Sequence, residues 1–503
     1  MSDEKKSAGK KTGEEDSAEK DEKKELPEIE EQLVSKSYAG KFGKTKVAYT
    51  ATAATQVIER SDDKKAVFFY VAYTKDDADP ADRPIIFAFN GGPGSSTVWL
   101  HLGLFGPKRV EFDDEGQPIG IPGRLIDNEH SILDVADVVH VDAIGTGLSR
   151  AHPKDKEKDY HHFLRDIEAF SEFIISYLSR NDRWASPVFL AGESYGTTRG
   201  AAIAANLFEK HGLQLNGILL ISVAMSFQTI AMDVDGGFLF HRGNDLPYLT
   251  HLPAYAATAW YHGVLAKKHQ SKSLHDFLEE VEEFALGPYW SALALGDRIA
   301  EPERKKIVKK VAEYTGLAEE YVDSYDMRIH IMRFCKELLR SQRKTVGRLD
   351  SRYTGYDRVV DGDNLESDPA ANLTMGPMSS ALNAYLRTEL GFKTDDFYEI
   401  LSMEVHQRWD YEDFKNKYVD TSEKLREVMS RSQRMKVFVA GGYYDLATPP
   451  LACEYTFSHM GLDPEIRKNV AMKYYEAGHM MYLHKPSLVQ LAADMREFIG
   501  DSL

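Results

Sequence analysis

The chain has 503 residues, with 62 Lys and Arg against 79 Asp and Glu, for a formal charge of −17. A surface of that sign repels phosphate backbones and anionic lipid, and no basic stripe with interleaved aromatics offsets it, so nucleic-acid binding is excluded. With 43% apolar residues the chain has ample material for a large core, which excludes wholesale disorder.

Two cysteines, Cys335 and Cys453, stand far apart with no Cys-x-x-Cys spacing, so the fold is not expected to rest on disulfides or structural zinc. The amino-terminal residues MSDEKKSAGKK lack the apolar centre of a secretion signal, and no run approaches the ~20 apolar residues needed to cross a bilayer. The expected address is the cytoplasm, with no membrane association.

Residues 1–32 are dominated by Lys, Glu and Asp and predict a solvated, charged tail. Short runs rich in β-branched and aromatic residues follow at 46–55, 66–73, 84–89, 138–142, 188–191 and 218–222, and again at 437–440 and 470–475. These predict buried strands. Between them Phe163, Ile167, Phe170, Ile174, Tyr177 and Leu178, and later Leu488, Leu491, Ala492, Met495, Phe498 and Ile499, recur at spacings of three and four, which puts each set on one helix face. Strands alternating with amphipathic helices predict a mostly parallel sheet covered on both sides, with two antiparallel strands at its start. From about 226 to 427 strand signals fade and helical spacing takes over, as in Leu274, Phe277, Leu278, Val281 and Phe284. This stretch predicts a large inserted helical cap within a core made of 33–225 and 428–503. Its Trp260, Tyr261, Tyr289 and Trp290 are expected mainly to pack the cap on itself.

The run Val188 to Gly196, VFLAGESYG, places Gly-x-Ser-x-Gly directly after an apolar strand and before a helical stretch at 197–210. A serine lifted to the tip of such a turn needs small neighbours, because side chains at Gly192 or Gly196 would collide with adjacent backbone. Ser194 would then stand beside a helix N-terminus that favours developing negative charge. A serine hydroxyl needs a histidine base and an orienting acid. Asp445, in the turn after the strand 437–440, and His479, in the turn after the strand 470–475, are the candidates. Both follow strands, where such a sheet collects its reactive groups, and the order Ser, Asp, His suits an α/β-hydrolase arrangement. His459 and His484 are rivals to His479 but sit in no Gly-containing turn after a strand, while Asp445 could instead be a turn aspartate bonding its own backbone before Pro449. After the strand 84–89, Asn90-Gly91-Gly92-Pro93-Gly94 frees backbone N–H groups, so the Gly92 and Tyr195 amides are expected to form an oxyanion hole.

Taken together, FNGGPGSS at 89–96, NEHSILDVADVVHVDAIGTGLS at 128–149, GESYG at 192–196, GGYYDLATP at 441–449 and GHMMY at 478–482 resemble, in order, the motifs of the serine carboxypeptidase family of α/β hydrolases. The resemblance implies release of carboxy-terminal residues from peptide substrates, with Ser194, Asp445 and His479 as the triad and Gly92 and Tyr195 as the oxyanion hole. It also implies recognition of the substrate's terminal carboxylate by Asn90, Gly91 and Glu193. It departs from the family where a second glutamate is usual, here Leu104, and where a cysteine is usual, here Ser95. Glu193 can help to hold a carboxylate only when protonated, which predicts a peptidase activity that falls with rising pH. An esterase, amidase or acyltransferase on the same scaffold, or a non-catalytic interaction protein, are the alternative readings. No cofactor or metal is expected: the acidic stretch 361–368 departs from a calcium loop, with Leu365 and Glu366 where a ligand and a glycine belong. Oligomeric state is not legible.

Overall fold

The computed structural model describes residues 30–59, 65–152, 154–230 and 243–503, so the expected tail lies, up to residue 29, outside the described residues. Ten strands form one sheet. In chain order they are β1 (Leu33–Phe42), β2 (Thr45–Glu59), β3 (Lys65–Lys75), β4 (Ile85–Phe89), β5 (Asp137–Val141), β6 (Arg150–His152), β7 (Val188–Glu193), β8 (Gly217–Ile221), β9 (Lys436–Gly442) and β10 (Val470–Tyr475). Across the sheet they run β1-β2-β3-β5-β4-β7-β8-β9-β10, with β6 paired to β3.

From β5 through β4, β7, β8 and β9 to β10 all neighbours are parallel. At the other end β1, β2, β3 and β5 pair antiparallel in turn. One more antiparallel strand therefore opens the sheet than the sequence pattern predicts. The extra strand is β1, an edge strand whose LVSKSYAGKF is exposed along most of its length and so carries no apolar run to read. Its pairing reaches back into the stretch expected as tail: the Thr55 N–H donates to the Gln32 carbonyl, the Gln32 N–H donates to the Thr55 hydroxyl, and the Glu31 carboxylate pairs with Arg180.

The inner parallel strands β4, β5, β7, β8 and β9 are buried on both faces, which is why their sequences read as apolar runs, whereas the edge strand β10 is partly exposed. Alternation sends Ile85, Phe87, Leu190, Ile218, Leu220 and Val437 into one apolar cluster, shared with α1 (Phe163–Arg180) and α2 (Tyr195–His211). Ile86, Phe189, Leu219, Ile221 and Phe438 enter a second, closed by α3 (Lys485–Asp501). This mostly parallel sheet with helices on both faces is the α/β-hydrolase fold.

The residues between β8 and β9 divide among three clusters. Those from Leu246 to Leu365 build a third apolar cluster of their own, which meets the sheet's loops through Tyr444, Leu446 and Leu451. Those from Met378 to Ile400 pack with the second cluster, and those from Val405 to Met429 with the first. The last quarter of the stretch expected as cap, from Met378 on, is thus part of the packing against the sheet.

Candidate active site

Strand order decides where the site lies. The chain leaves β4 toward β5 on one side while β7 flanks β4 on the other, so the loops after β4 and β7 diverge from adjacent strand ends and leave a crevice there. Ser194 follows β7 at φ 59° and ψ −127°, a conformation that costs roughly 1–3 kcal/mol for a residue with a side chain. Its N–H donates to the Ile221 carbonyl, 2.9 Å away, which pins the turn to the end of β8. Small neighbours are required here: a Cβ on Gly192 would overlap the Gly196 carbonyl oxygen, and one on Gly91 would lie 2.5 Å from the Tyr195 nitrogen. The Asn90–Gly92 loop therefore rests directly on the start of α2. Tyr195 opens that helix, so its N–H has no intrahelical acceptor, and the Gly92 N–H comes from the facing loop.

Asp445 and His479 meet as expected. His479 Nδ1 lies 2.7 Å from Asp445 Oδ2, and both side chains are buried. The other carboxylate oxygen, Oδ1, accepts the N–H groups of Ala447 and Thr448 at 2.7 and 3.0 Å. Turn aspartate and imidazole partner were rival readings of one residue, and separate oxygens fulfil both. The Thr448 hydroxyl adds a 2.6 Å bond to Oδ2 and lies 3.2 Å from His479 Nδ1. Burial opposes the charge on Asp445, but His479 and the Thr448 donors outweigh it and hold the carboxyl below its ordinary range. Burial likewise disfavours imidazolium, yet Asp445 and Glu193 together lift His479 above its ordinary value. The main chain of His479 is held by the Leu349 carbonyl, which accepts its N–H at 2.7 Å, and by the Ser222 hydroxyl, which donates to its carbonyl at 2.7 Å.

Ser194 and His479 line one cavity of about 280 Å³ together with Asn90, Gly91, Gly92 and Glu193. No hydrogen bond joins Ser194 to His479 in this arrangement of the described residues; what the fold supplies is their shared cavity. Of the rival histidines, His459 is exposed and bonded to the Tyr455 carbonyl, and His484 is bonded to Ser487 at the start of α3. Trp260, Tyr261, Tyr289 and Trp290 line none of the cavity, whose apolar wall comes instead from Trp99, Met375, Leu401, Met403 and Met480.

Glu193 is 3% exposed, and burial pushes its carboxyl up to about 7. Asn90 Nδ2 donates to its Oε1 at 2.9 Å and the Tyr482 hydroxyl to its Oε2 at 2.6 Å. Leu104 is fully buried in the second apolar cluster. Gly103 beside it leaves room for the Tyr482 ring, which a Cβ there would overlap. Tyr482 was not singled out from the sequence, although it lies inside the quoted GHMMY, and Thr448 likewise lies inside GGYYDLATP. The main-chain carbonyl of Asn90 accepts from the guanidinium of Arg199 at 2.6 Å, and Arg199 is paired in turn with Asp166 at 2.6 Å, both fully inside the protein. Among the described residues, His162, Asp410 and Glu412 bring possible metal-ligand atoms within 4.8 Å of one another, outside the cavity lining and largely exposed. No helix of the described residues is long and apolar enough to cross a membrane.

Comparison with known proteins places these features in a family. The profile of the serine carboxypeptidases matches residues 47–486. The pheromone-processing carboxypeptidase KEX1 of Saccharomyces cerevisiae is 30% identical over 145 residues, 27% of this chain and 18% of the yeast protein. Serine carboxypeptidase-like 8 of Arabidopsis thaliana is 28% identical over 144 residues, 28% of this chain and 31% of that one. The matched stretches thus span under a third of these relatives. Among solved structures, an aryl esterase described as putative, from Burkholderia cenocepacia, overlaps 89% of this chain and 98% of its own at 11% identity and a TM-score of 0.36. With its family profile spanning β2 to the start of α3, the chain belongs to the serine carboxypeptidase family.

Proposed function

We propose that the protein is a serine-type carboxypeptidase that releases carboxy-terminal residues from peptides through an acyl-enzyme. The observation that carries this reading is the 2.7 Å contact of His479 with Asp445 in the same cavity as a serine held at positive φ. Ser194 Oγ attacks the scissile carbonyl carbon while His479 Nε2 takes its proton, and Asp445 orients the ring and stabilises the imidazolium. The oxygen of the tetrahedral intermediate receives hydrogen bonds from the Gly92 and Tyr195 N–H groups. Collapse breaks the C–N bond as His479 returns its proton to the departing amine. Water, deprotonated by His479, then attacks the ester carbonyl and frees Ser194. Asn90, Gly91 and protonated Glu193 hold the terminal carboxylate. A cytoplasmic setting suits a fold whose two cysteines are both free and buried.

Loss of the second carboxylic acid to buried Leu104 favours a second reading, an esterase, amidase or acyltransferase that uses the same triad. N-blocked dipeptides with a free carboxy terminus, their amides and simple aryl esters discriminate the two. Turnover of the free acids over the amides supports the carboxypeptidase; ester turnover alone refutes it. A fluorophosphonate should label the protein and fail to label Ser194→Ala, whose turnover should drop by about 10³–10⁶. An unlabelled, folded wild type would overturn catalysis altogether and revive a binding role.

A further inference from the structure

Most of the enclosed arginines in this fold have an internal carboxylate. Arg83 and Arg183 share Asp137, Arg199 has Asp166, Arg352 has Asp350, Arg328 has Asp245 and Arg496 has Asp134. Arg348 differs. It is partly buried, it lines the cavity of Ser194 and His479, and its guanidinium makes no hydrogen bond or ion pair with a described residue.

The backbone around it is firmly held. The N–H groups of Arg348 and Leu349 both donate to Asp368 Oδ2, at 3.1 and 2.9 Å. The Arg348 carbonyl accepts from the Leu446 N–H at 3.0 Å, and the Leu349 carbonyl from the His479 N–H at 2.7 Å. Arg348 is thereby clamped to the two loops that carry Asp445 and His479. Its charge is felt by His479, whose imidazolium it disfavours. No ion pair joins it to Glu193 among the described residues; the Glu193 oxygens accept instead from Asn90 and Tyr482. A guanidinium offers a planar, two-pronged donor set suited to a carboxylate, and desolvating it without an anion is costly. An arginine whose main chain is held beside the reactive groups, with no carboxylate of the described residues paired to it, is an arrangement a substrate carboxylate completes.

We propose that Arg348 binds a carboxylate of the substrate within the reactive cavity, so that the preferred substrates carry an acidic group next to the cleaved bond. The inference rests on the carboxypeptidase reading for its substrate class. The carboxylate is either the peptide's terminus or an acidic side chain, and three small ligands separate these sources. N-acetylglutamine carries the terminal carboxylate alone, N-acetylglutamate α-amide the side-chain one alone, and N-acetylglutamine amide neither.

Calorimetric titration of the full-length protein, which needs no turnover, should show one of the two monocarboxylates binding at least about tenfold more tightly than the uncharged diamide. Arg348→Gln should bring that ratio to near unity and Arg348→Lys should retain part of it, which guards against a misfolded variant. In dipeptide hydrolysis, Arg348→Glu should turn a preference for Glu over Lys at the recognised position into the reverse, if a side chain is the ligand. Equal binding of all three ligands by the wild type, or a carboxylate preference that survives Arg348→Gln, would overturn the proposal. Carboxylate binding through Arg348 without any peptide hydrolysis would uphold it and sink the carboxypeptidase reading instead.

Discussion

Replacing Glu193 by glutamine isolates the cost of holding a carboxyl group in the cavity floor. The group ionises near 4.5 in solvent, whereas burial lifts it to about 7 in the fold. Between those values the folded chain keeps a proton that the unfolded chain has lost, so stability must fall as pH rises through the interval and level off above 7. A difference of about 2.5 pH units corresponds to about 3 kcal/mol, of order 10²-fold in the folding equilibrium. Glutamine has no such proton to lose. Relative to the wild type, Glu193→Gln should therefore gain about 3 kcal/mol between pH 4 and pH 8, whatever the fixed cost of the swap at pH 4. Urea unfolding of both proteins at half-unit pH steps, followed by tryptophan fluorescence, measures the difference directly. A gap that stays flat from pH 4 to 8 would show that Glu193 ionises in the fold as it does in water. The same protonation argument would then fail for substrate binding. In activity, wild-type hydrolysis of free-acid peptides should decline with an apparent midpoint near 7 while ester hydrolysis persists, because His479 must be neutral to act as base. One shared profile for the two substrates would remove Glu193 from carboxylate recognition.

Tyr482→Phe deletes the hydroxyl that donates to Glu193 at 2.6 Å and favours its charged form. The decline of peptidase activity should move upward by about one pH unit, the worth of a hydrogen bond to a charged group, and a downward or absent shift in the kcat/KM profile would refute this role. Arg199→Leu should destabilise the protein by about 3–5 kcal/mol, since it strands Asp166 without its partner inside the protein and also frees the Asn90 carbonyl. Paired with Asp166→Leu, it should recover much of that loss in denaturant unfolding, and purely additive losses would count against the pair.

Much of this molecule was readable before any coordinates. The inner parallel strands are apolar runs because both of their faces are covered, and α1 and α3 carry their apolar stripes at helical spacing. The turn chemistry around Ser194 is equally local: glycines on either side announce that backbone must pass close by. Even Asp445 and His479, the proposed acid and base, stand out, each in the turn after its strand. What is local in the chain, or periodic, leaves a mark in the order of residues.

Tertiary structure alone decided the rest, because it depends on which distant groups become neighbours. β1 is an edge strand with little to bury, so it has no pattern, and only its ladder with β2 reveals it. The division of residues 246–429 among three apolar clusters follows from which face each helix meets. Tyr482 becomes a partner of Glu193, 289 positions away, because Gly103 leaves room for its ring, and no spacing rule connects those three residues. The elevated proton affinity of Glu193 has the same origin: a glutamate in a sequence carries no dielectric, and the packing that excludes water from it exists only once the chain has folded.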